Sequence, residues 1–491
     1  MAKIHYTNGH VYTASRGFIK DFYVHDGVFS SSPVGTAKTI DLRGATVVPG
    51  FIDSHTHILS AGLNTLGLDC RPFTTLSDLL GEIADYCSAH AHNSVLFAYG
   101  FDESVLSEKR FPTPEELRDV TGTLPFFIKR VDMHSMMVNT TFEREYNVKS
   151  DNGIIRGLEY DAVIVKTQKR FSDSERYEAL RVMEKKAYAA GITALHTMEG
   201  YLDDYTAIDF HLKYRGTPGI DYIVYPQVMN VAGMKTRGFD RIGGCILLDG
   251  SLGSRTAAIT GDYSDDPGNN GRLYLNDDEL YTFAEEAHLE GMQLSFHAIG
   301  DRAVHQIANV YEKLLSRHPR ADHRHRIEHA ILIQDKDFER LARLGIWLDY
   351  QPIFEYLWGG FNKLYHARVG DARVPLLHRL RTTQCFEIPF AFGSDCDVTV
   401  LNPLAGIHGA VNREITEEAI TVESAVNAFT IDAAKIGFGE SALGSIDDGK
   451  YADFTLLERD IFSNPATIKD CSISAVYKKG ECVFGCIDTI V

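Results

Sequence analysis

Through the middle of the chain, short runs that are apolar on both faces alternate with stretches in which apolar residues return every three or four positions. The first pattern predicts strands buried on both sides and the second amphipathic helices; their alternation predicts parallel strands joined by helical crossovers. The predicted strands are 51–57, 192–197, 222–228, 245–249, 293–297, 326–330, 347–351 and 390–395. Helical patterns at 174–190 and 278–290 precede the second and the fifth, whereas the gap from 228 to 245 is short. Eight such strands predict an α/β fold, a (β/α)8 TIM barrel.

Both ends of the chain read differently. Residues 3–48 break into short β-prone runs, with Asn8-Gly9 and Asp26-Gly27 as hairpin turns, and similar runs return at 451–457, 473–477 and 481–484. Hairpin sets this small are marginal alone, so the reading is one β-sandwich domain built from 1–48 plus 440–491, with a 49–439 barrel inserted between them. The run from Val47 to Ile52 reads as a single buried strand that the chain enters at Pro49-Gly50. The first crossover is too long for one helix. Residues from 60 to about 188 carry strands of their own at 95–99 and 126–130, which predicts an inserted subdomain after the first barrel strand.

Composition narrows the partners. With 49 Lys+Arg against 67 Asp+Glu, the net charge is −18, which argues against nucleic-acid phosphates and anionic lipid as partners; a small-molecule substrate is expected, though the charge balance does not set it. No run approaches a membrane span and the first residues lack a leader pattern, so a cytoplasmic protein is expected. The 8 cysteines are scattered, without a CxxC pair, and are expected to be reduced.

The chemistry lies at the strand ends. His55 and His57, two apart on the first strand, share a face with Asp53. Later strand ends carry Cys245 or Asp249, then His297, His329 and Asp395. A barrel gathers its C-terminal strand ends around one mouth. Singly, each residue has a bland reading as a satisfied core group or a cap; together they form a set that a bound cation would partner.

Those residues stand in longer motifs: Val48-Pro49-Gly50-Phe51-Ile52-Asp53 before His55-Thr56-His57, Asp249-Gly250-Ser251 through Ala257, His297-Ala298-Ile299-Gly300-Asp301, Arg326 through Ala330, Gly393-Ser394-Asp395, and Gly444 through Asp453. Over nearly the whole chain they resemble the amidohydrolase superfamily, and within it the YtcJ-like branch that includes N-substituted formamide deformylase. The resemblance implies a metal-dependent hydrolase of C–N bonds other than peptide bonds. Its substrate would be an amide, N-substituted formamides included, and its cofactor one or two divalent ions, zinc foremost. It implies that His55 and His57 hold the more buried metal, that His297 and His329 serve a second metal or the reacting carbonyl, and that Asp395 is both ligand and base. His329 and Asp395 are thus the catalytic candidates. A homodimer is the assembly to look for.

One position departs from the branch. A lysine, carboxylated to bridge two metals, usually stands four residues before Asp-Gly-Ser; here that position is Cys245. Three readings are open: Cys245 is a thiolate ligand, Cys245 is packing around a single metal held by His55, His57, His297 and Asp395, or Asp249 replaces the lost carboxylate. The expected chemistry is attack by metal-activated water, with Asp395 moving the proton. For specificity the candidates are His134 and Arg255, together with 100–103, 130–133 and the aromatic-rich 350–358. The alternatives are a mononuclear deaminase of an amidine or heterocycle and a catalytically degenerate binding protein.

Overall fold

The structure, a computed structural model, describes residues 3–32, 37–103, 105–131, 133, 135–201, 203–214, 216 and 219–485. It divides into two compact units, Met1–His57 with Glu184–Val491, and Ile58–Met183.

In the first unit eight strands run parallel: β1 (Phe51–Thr56), β2 (Ile192–Glu199), β3 (Asp221–Pro226), β4 (Arg241–Ile242), β5 (Gln293–Ala298), β6 (Arg326–His329), β7 (Trp347–Tyr350) and β8 (Phe390–Phe392). They pair in the orders β3-β2-β1 and β4-β5-β6-β7-β8. Hydrogen bonds link the edges of these two sheets. The Gly243 N–H donates to Pro226 O at 2.9 Å, and the Asp395 N–H donates to His55 O at 2.8 Å. Every residue of β1, β2, β5 and β6 is buried, as parallel strands covered on both faces require. The helix Asp301–Arg317 after β5 buries Ala303, Val304, Ile307, Tyr311 and Leu314, one stripe at helical spacing. Asn276 starts the helix before β5 through a capping box with Glu279.

Three sequence expectations are corrected. The fourth strand lies at Arg241–Ile242, not 245–249. Gly243 and Gly244 take φ of +99° and +53°, so the chain turns out of the ladder and returns only as a bridge from Leu247 to His297. The apolar run at 47–52 is two strands: Thr46–Pro49 pairs with Phe454–Leu457 in a terminal sheet, and β1 begins after Gly50. At Gly50 a Cβ would overlap Thr193. Asn8-Gly9, finally, makes no hairpin. Lys3–Thr7 pairs with Phe22–His25 and Lys38–Asp41, while His10–Thr13 pairs with Gly17–Ile19 and Thr46–Pro49, so this turn passes the chain between two sheets. Asp26-Gly27 does close a hairpin, with both residues at positive φ.

The terminal strands form a four-stranded and a six-stranded sheet. Tyr6, Phe22 and Phe29 from one and Val47, Phe454 and Tyr477 from the other share a single apolar core, the arrangement that lets half-buried sheets cover each other. In the second unit, a five-stranded sheet (Leu68–Asp69, Phe97–Phe101, Phe127–Arg130, Ser135–Val138, Ile154–Arg156) packs with Leu79, Ile83 and Leu117 from its helices. Within this unit Arg130 pairs with Glu103 at 2.9 Å.

No helix among the described residues is long and apolar enough to cross a membrane. The seven cysteines described are all free.

Candidate metal centre

Five side chains meet at the C-terminal ends of the parallel strands. His55 ends in β1 and His57 follows it; Cys245 follows the break in β4, His329 closes β6, and Asp395 lies three residues past β8. The ligand atoms of His55, His57 and Cys245 lie within 4.8 Å of one another, as do those of His55, His329 and Asp395. Asp395 Oδ1 is 3.5 Å from Nε2 of both His55 and His57, and Cys245 Sγ is 3.6 Å from His329 Nε2.

Local backbone aims these groups. His329 and Asp395 hold φ of +69° and +55°, left-handed values uncommon for such residues and typical of functional sites held by their surroundings. The Gly243-Gly244 turn delivers Cys245; a Cβ on Gly243 would overlap the Ser295 carbonyl oxygen.

Each of three imidazoles is pinned through Nδ1 to an oxygen. His55 Nδ1 faces Glu328 Oε2 at 2.6 Å, His57 Nδ1 faces Met198 O at 3.2 Å, and His329 Nδ1 faces Gln351 Oε1 at 2.5 Å. With Nδ1–H donating, each Nε2 is the ring atom that faces the cluster, and loss of its proton leaves a lone pair for a cation. That is how metal-binding histidines are oriented by an outer layer of acceptors. His55 Nε2 is fully buried and meets Asp395 Oδ1 only at 3.5 Å, without a well-formed hydrogen bond, an arrangement that a cation would relieve.

Electrostatics agree. Burial alone would push the Cys245 thiol up, but the charge of His55 and hydrogen bonds from His329, His55 and His57 outweigh it and hold the thiol well below its usual range. Burial would lower His57, yet Cys245 and Asp395 raise it to about 9. Asp395 is likewise driven up by burial and pulled well below the carboxylate range by His55, His329 and His57. The donor set fits a divalent ion: four-coordinate zinc, with bonds of about 2.0–2.3 Å, sets donor-to-donor edges of roughly 3.3–3.7 Å.

The model of the Amidohydrolase family matches residues 38–484. The chain belongs to this family. It is similar to the putative amidohydrolase YtcJ of Bacillus subtilis (strain 168), 28% identical over 94% of this chain and 95% of that one. It is also similar to the N-substituted formamide deformylase of Arthrobacter pascens, 24% identical over 86% of this chain and 85% of that one. Among solved structures, an uncharacterized metal-dependent hydrolase from Pyrococcus furiosus shares the fold with a TM-score of 0.76 at 24% identity, covering 94% of this chain and 99% of that one.

Against this amidohydrolase frame the remaining candidates fall into place. Asp249 accepts hydrogen bonds from the backbone N–H groups of Ile299, Ala258 and Gly300 at 2.7–3.0 Å. Its two oxygens staple the loop after β4 to the one after β5. His297 stands behind His329, ring centroids 4.6 Å apart, with Nδ1 3.3 Å from Asp249, and joins none of the tight donor clusters among the described residues. Arg255 directs its guanidinium at Asp265, which Arg368 also holds. His134 lies outside the described residues. His196, in β2, faces inward against Arg326 at 3.4 Å.

Sequence reasoning missed the support beneath the ligands. Arg326, fully buried, pairs with Glu328 and Asp349 and donates to Ser54 O at 2.9 Å. Gln351 links His329 to Asp349, donating to its Oδ1 at 3.0 Å. The signal was the period-two spacing of Arg326 and Glu328, which puts both on one face of β6.

Proposed function

We propose that this amidohydrolase hydrolyses the C–N bond of a small-molecule amide, with zinc as its metal. The observation that carries the reading is the convergence of three Nδ1-pinned imidazoles on a thiolate and a carboxylate at the ends of parallel strands. We read the two parallel sheets, linked at both edges, as one (β/α)8 barrel. The terminal sheets are its β-sandwich, with 1–48 and 440–491 contributing, and the segment of about 60–188 is its insertion.

His55, His57, Cys245 and Asp395 would hold the ion, and His329, beside Cys245 Sγ, would extend the set toward a second. A thiolate among imidazoles favours zinc over harder cations. Asp249, its oxygens engaged by three backbone donors, is less free than Cys245 to stand in for a bridging carboxylate. When bound, the ion supplies a Lewis acid that lets water ionise near neutral pH.

The chain's own residues do the rest. Asp395, held ionised, takes the proton of the attacking water and returns it to the leaving nitrogen. His57 Nε2 and Asp395 Oδ1, 3.5 Å apart, would face the same ion. His329, giving its Nδ1–H to Gln351, offers Nε2 as a donor atom; polarising the substrate carbonyl as well would require a second proton on that ring. N-substituted formamides are the first substrates to test, because one similar protein is named for that reaction. Zinc-loaded protein is expected to release amine from such amides, and chelator-treated protein to lose that activity and regain it with zinc. Ammonia release from an amidine instead would support the deaminase alternative.

Metal uptake carries a pH signature. In the metal-free protein His55 is raised above its ordinary value and His57 reaches about 9, so both rings are protonated at neutral pH. An entering cation expels those protons, and its affinity therefore climbs as pH rises toward 9, by about tenfold per pH unit for each proton displaced. Chelator competition at a series of pH values measures the slope; an affinity flat between pH 6 and 9 would contradict the protonation pattern.

A further inference from the structure

At the N-terminal ends of the parallel strands, opposite the metal centre, three buried histidines form one hydrogen-bonded chain. His288 lies on the helix before β5, and His323 and His325 lie on the segment that enters β6. His288 is 4% exposed, His323 6% and His325 fully buried. The ring of His325 stands 5.1 Å from that of His288 and 4.5 Å from that of His323, between centroids. The Trp347 N–H donates to His325 O at 2.9 Å, which joins β7 to the same knot.

Both ends of the chain fix its protons. The Leu294 N–H of β5 donates to His325 Nδ1 at 3.0 Å, so the His325 proton sits on Nε2, 2.8 Å from His288 Nδ1. His288 in turn keeps its proton on Nε2 and donates to His318 O at 2.9 Å. His323 follows the same rule: its Nδ1 accepts from the His325 N–H at 2.9 Å, and its Nε2–H donates to Leu344 O at 2.9 Å. All six ring nitrogens are satisfied with the three rings neutral. A further proton on any ring would have to enter at Nδ1, against an N–H that already points there.

The surroundings do little for such a proton. Arg320 donates to the carbonyls of His288 and Met292, which places a positive charge beside the rings. Tyr311 stacks on His325 at 5.4 Å and donates its hydroxyl to Arg326 O. Of the carboxylates around them, Glu285 is engaged by His318 and Tyr281, and Asp322, which favours a charged His323, is itself held by Arg324. Burial foremost holds His288 and His325 below their ordinary range and lowers His323 to about 4. An unfolded histidine titrates near ~6.5. These rings therefore stabilise the fold above that pH and withdraw the contribution as pH falls from about 6.5 toward 4.

We propose that His288, His323 and His325 form an acid-sensitive latch at the base of β5 and β6, which releases the entry of both strands when the rings take up protons. β6 carries Arg326, Glu328 and His329, so opening its base loosens the support of the metal centre from the far end. The latch stands whichever bond the metal centre hydrolyses.

Hydrogen–deuterium exchange of the zinc-saturated protein at pH 7.5 and 5.5, each corrected for the intrinsic chemical rate, tests it at the amides of Leu294 and His325. One histidine that charges on opening raises the opening constant about tenfold between these pH values. Wild type is expected to lose roughly 10- to 10³-fold in protection there, and far less at Phe454–Leu457 in the terminal sheet. His288→Asn and His323→Asn keep an acceptor in place of Nδ1 but cannot charge, and each should recover about tenfold of that loss. Because the readout is the ratio between two pH values in one protein, a variant of lower overall stability still reports on the latch. Wild-type protection equal at the two pH values, a loss shared equally by Phe454–Leu457, or an acid loss unchanged in both variants overturns the proposal.

Discussion

Asp395→Asn is expected to lower kcat by about 10²–10⁴-fold, the range that a positioned acid–base group contributes. Asparagine nearly matches the side chain's shape and keeps an oxygen donor, but it cannot carry the proton from water to the leaving nitrogen. The carboxylate is suited to that task by where it is held: Oδ1 lies between the Nε2 atoms of His55 and His57, and the left-handed backbone at Asp395 is fixed by its N–H to His55 O. The same neighbours keep it ionised in a buried site. Metal content measured on the same samples separates loss of the base from loss of the ion. Activity within a few-fold of wild type, at equal metal, would remove Asp395 from the proton path.

The second large effect falls on stability. Arg326→Met is expected to cost about 3–5 kcal/mol, because removing one member of a buried ion cluster leaves uncompensated charge behind. Glu328 and Asp349 are both fully buried, and both depend on that guanidinium. Burial already lifts Asp349 to about 7, in spite of Arg326. Without the arginine, Asp349 would have to take up a proton to stay buried, so the deficit should shrink in Arg326→Met/Asp349→Asn, which removes the group that bears that cost. Chemical denaturation of the single and double variants measures both effects. A single-variant loss under about 1 kcal/mol would mean that the cluster is better solvated than its burial indicates.

This cluster also explains what the sequence left unread. The parallel strands were legible because burial on both faces leaves an apolar run, and His55 and His57 were legible because two-residue spacing puts them on one face. Arg326, Glu328 and Asp349 were harder. A charged residue inside a predicted strand reads as a solvated edge until its partners, far away in sequence, are known. The position of β4 was obscured for a different reason. Cys245 through Asp249 looks like a buried strand, but Gly243-Gly244 breaks the ladder and turns that run into a loop in which Cys245 and Leu248 are buried and Ile246 and Leu247 half-buried. Asp249, a candidate ligand by its place after such a strand, accepts from three backbone donors that only the fold brings to it. Asn8-Gly9 has the composition of a hairpin turn, and the competing pairings with Phe22–His25 and Thr46–Pro49 override it.

Cys245 is proposed as a metal ligand at the position where the family resemblance calls for a carboxylated lysine. Metal per chain, measured by mass spectrometry on wild type and Cys245→Ala purified without chelator, tests it most directly. Wild type is expected to retain its zinc and the variant to lose at least one equivalent relative to it. Equal metal in the two proteins would reduce Cys245 to packing beside a site held by histidines and Asp395 alone.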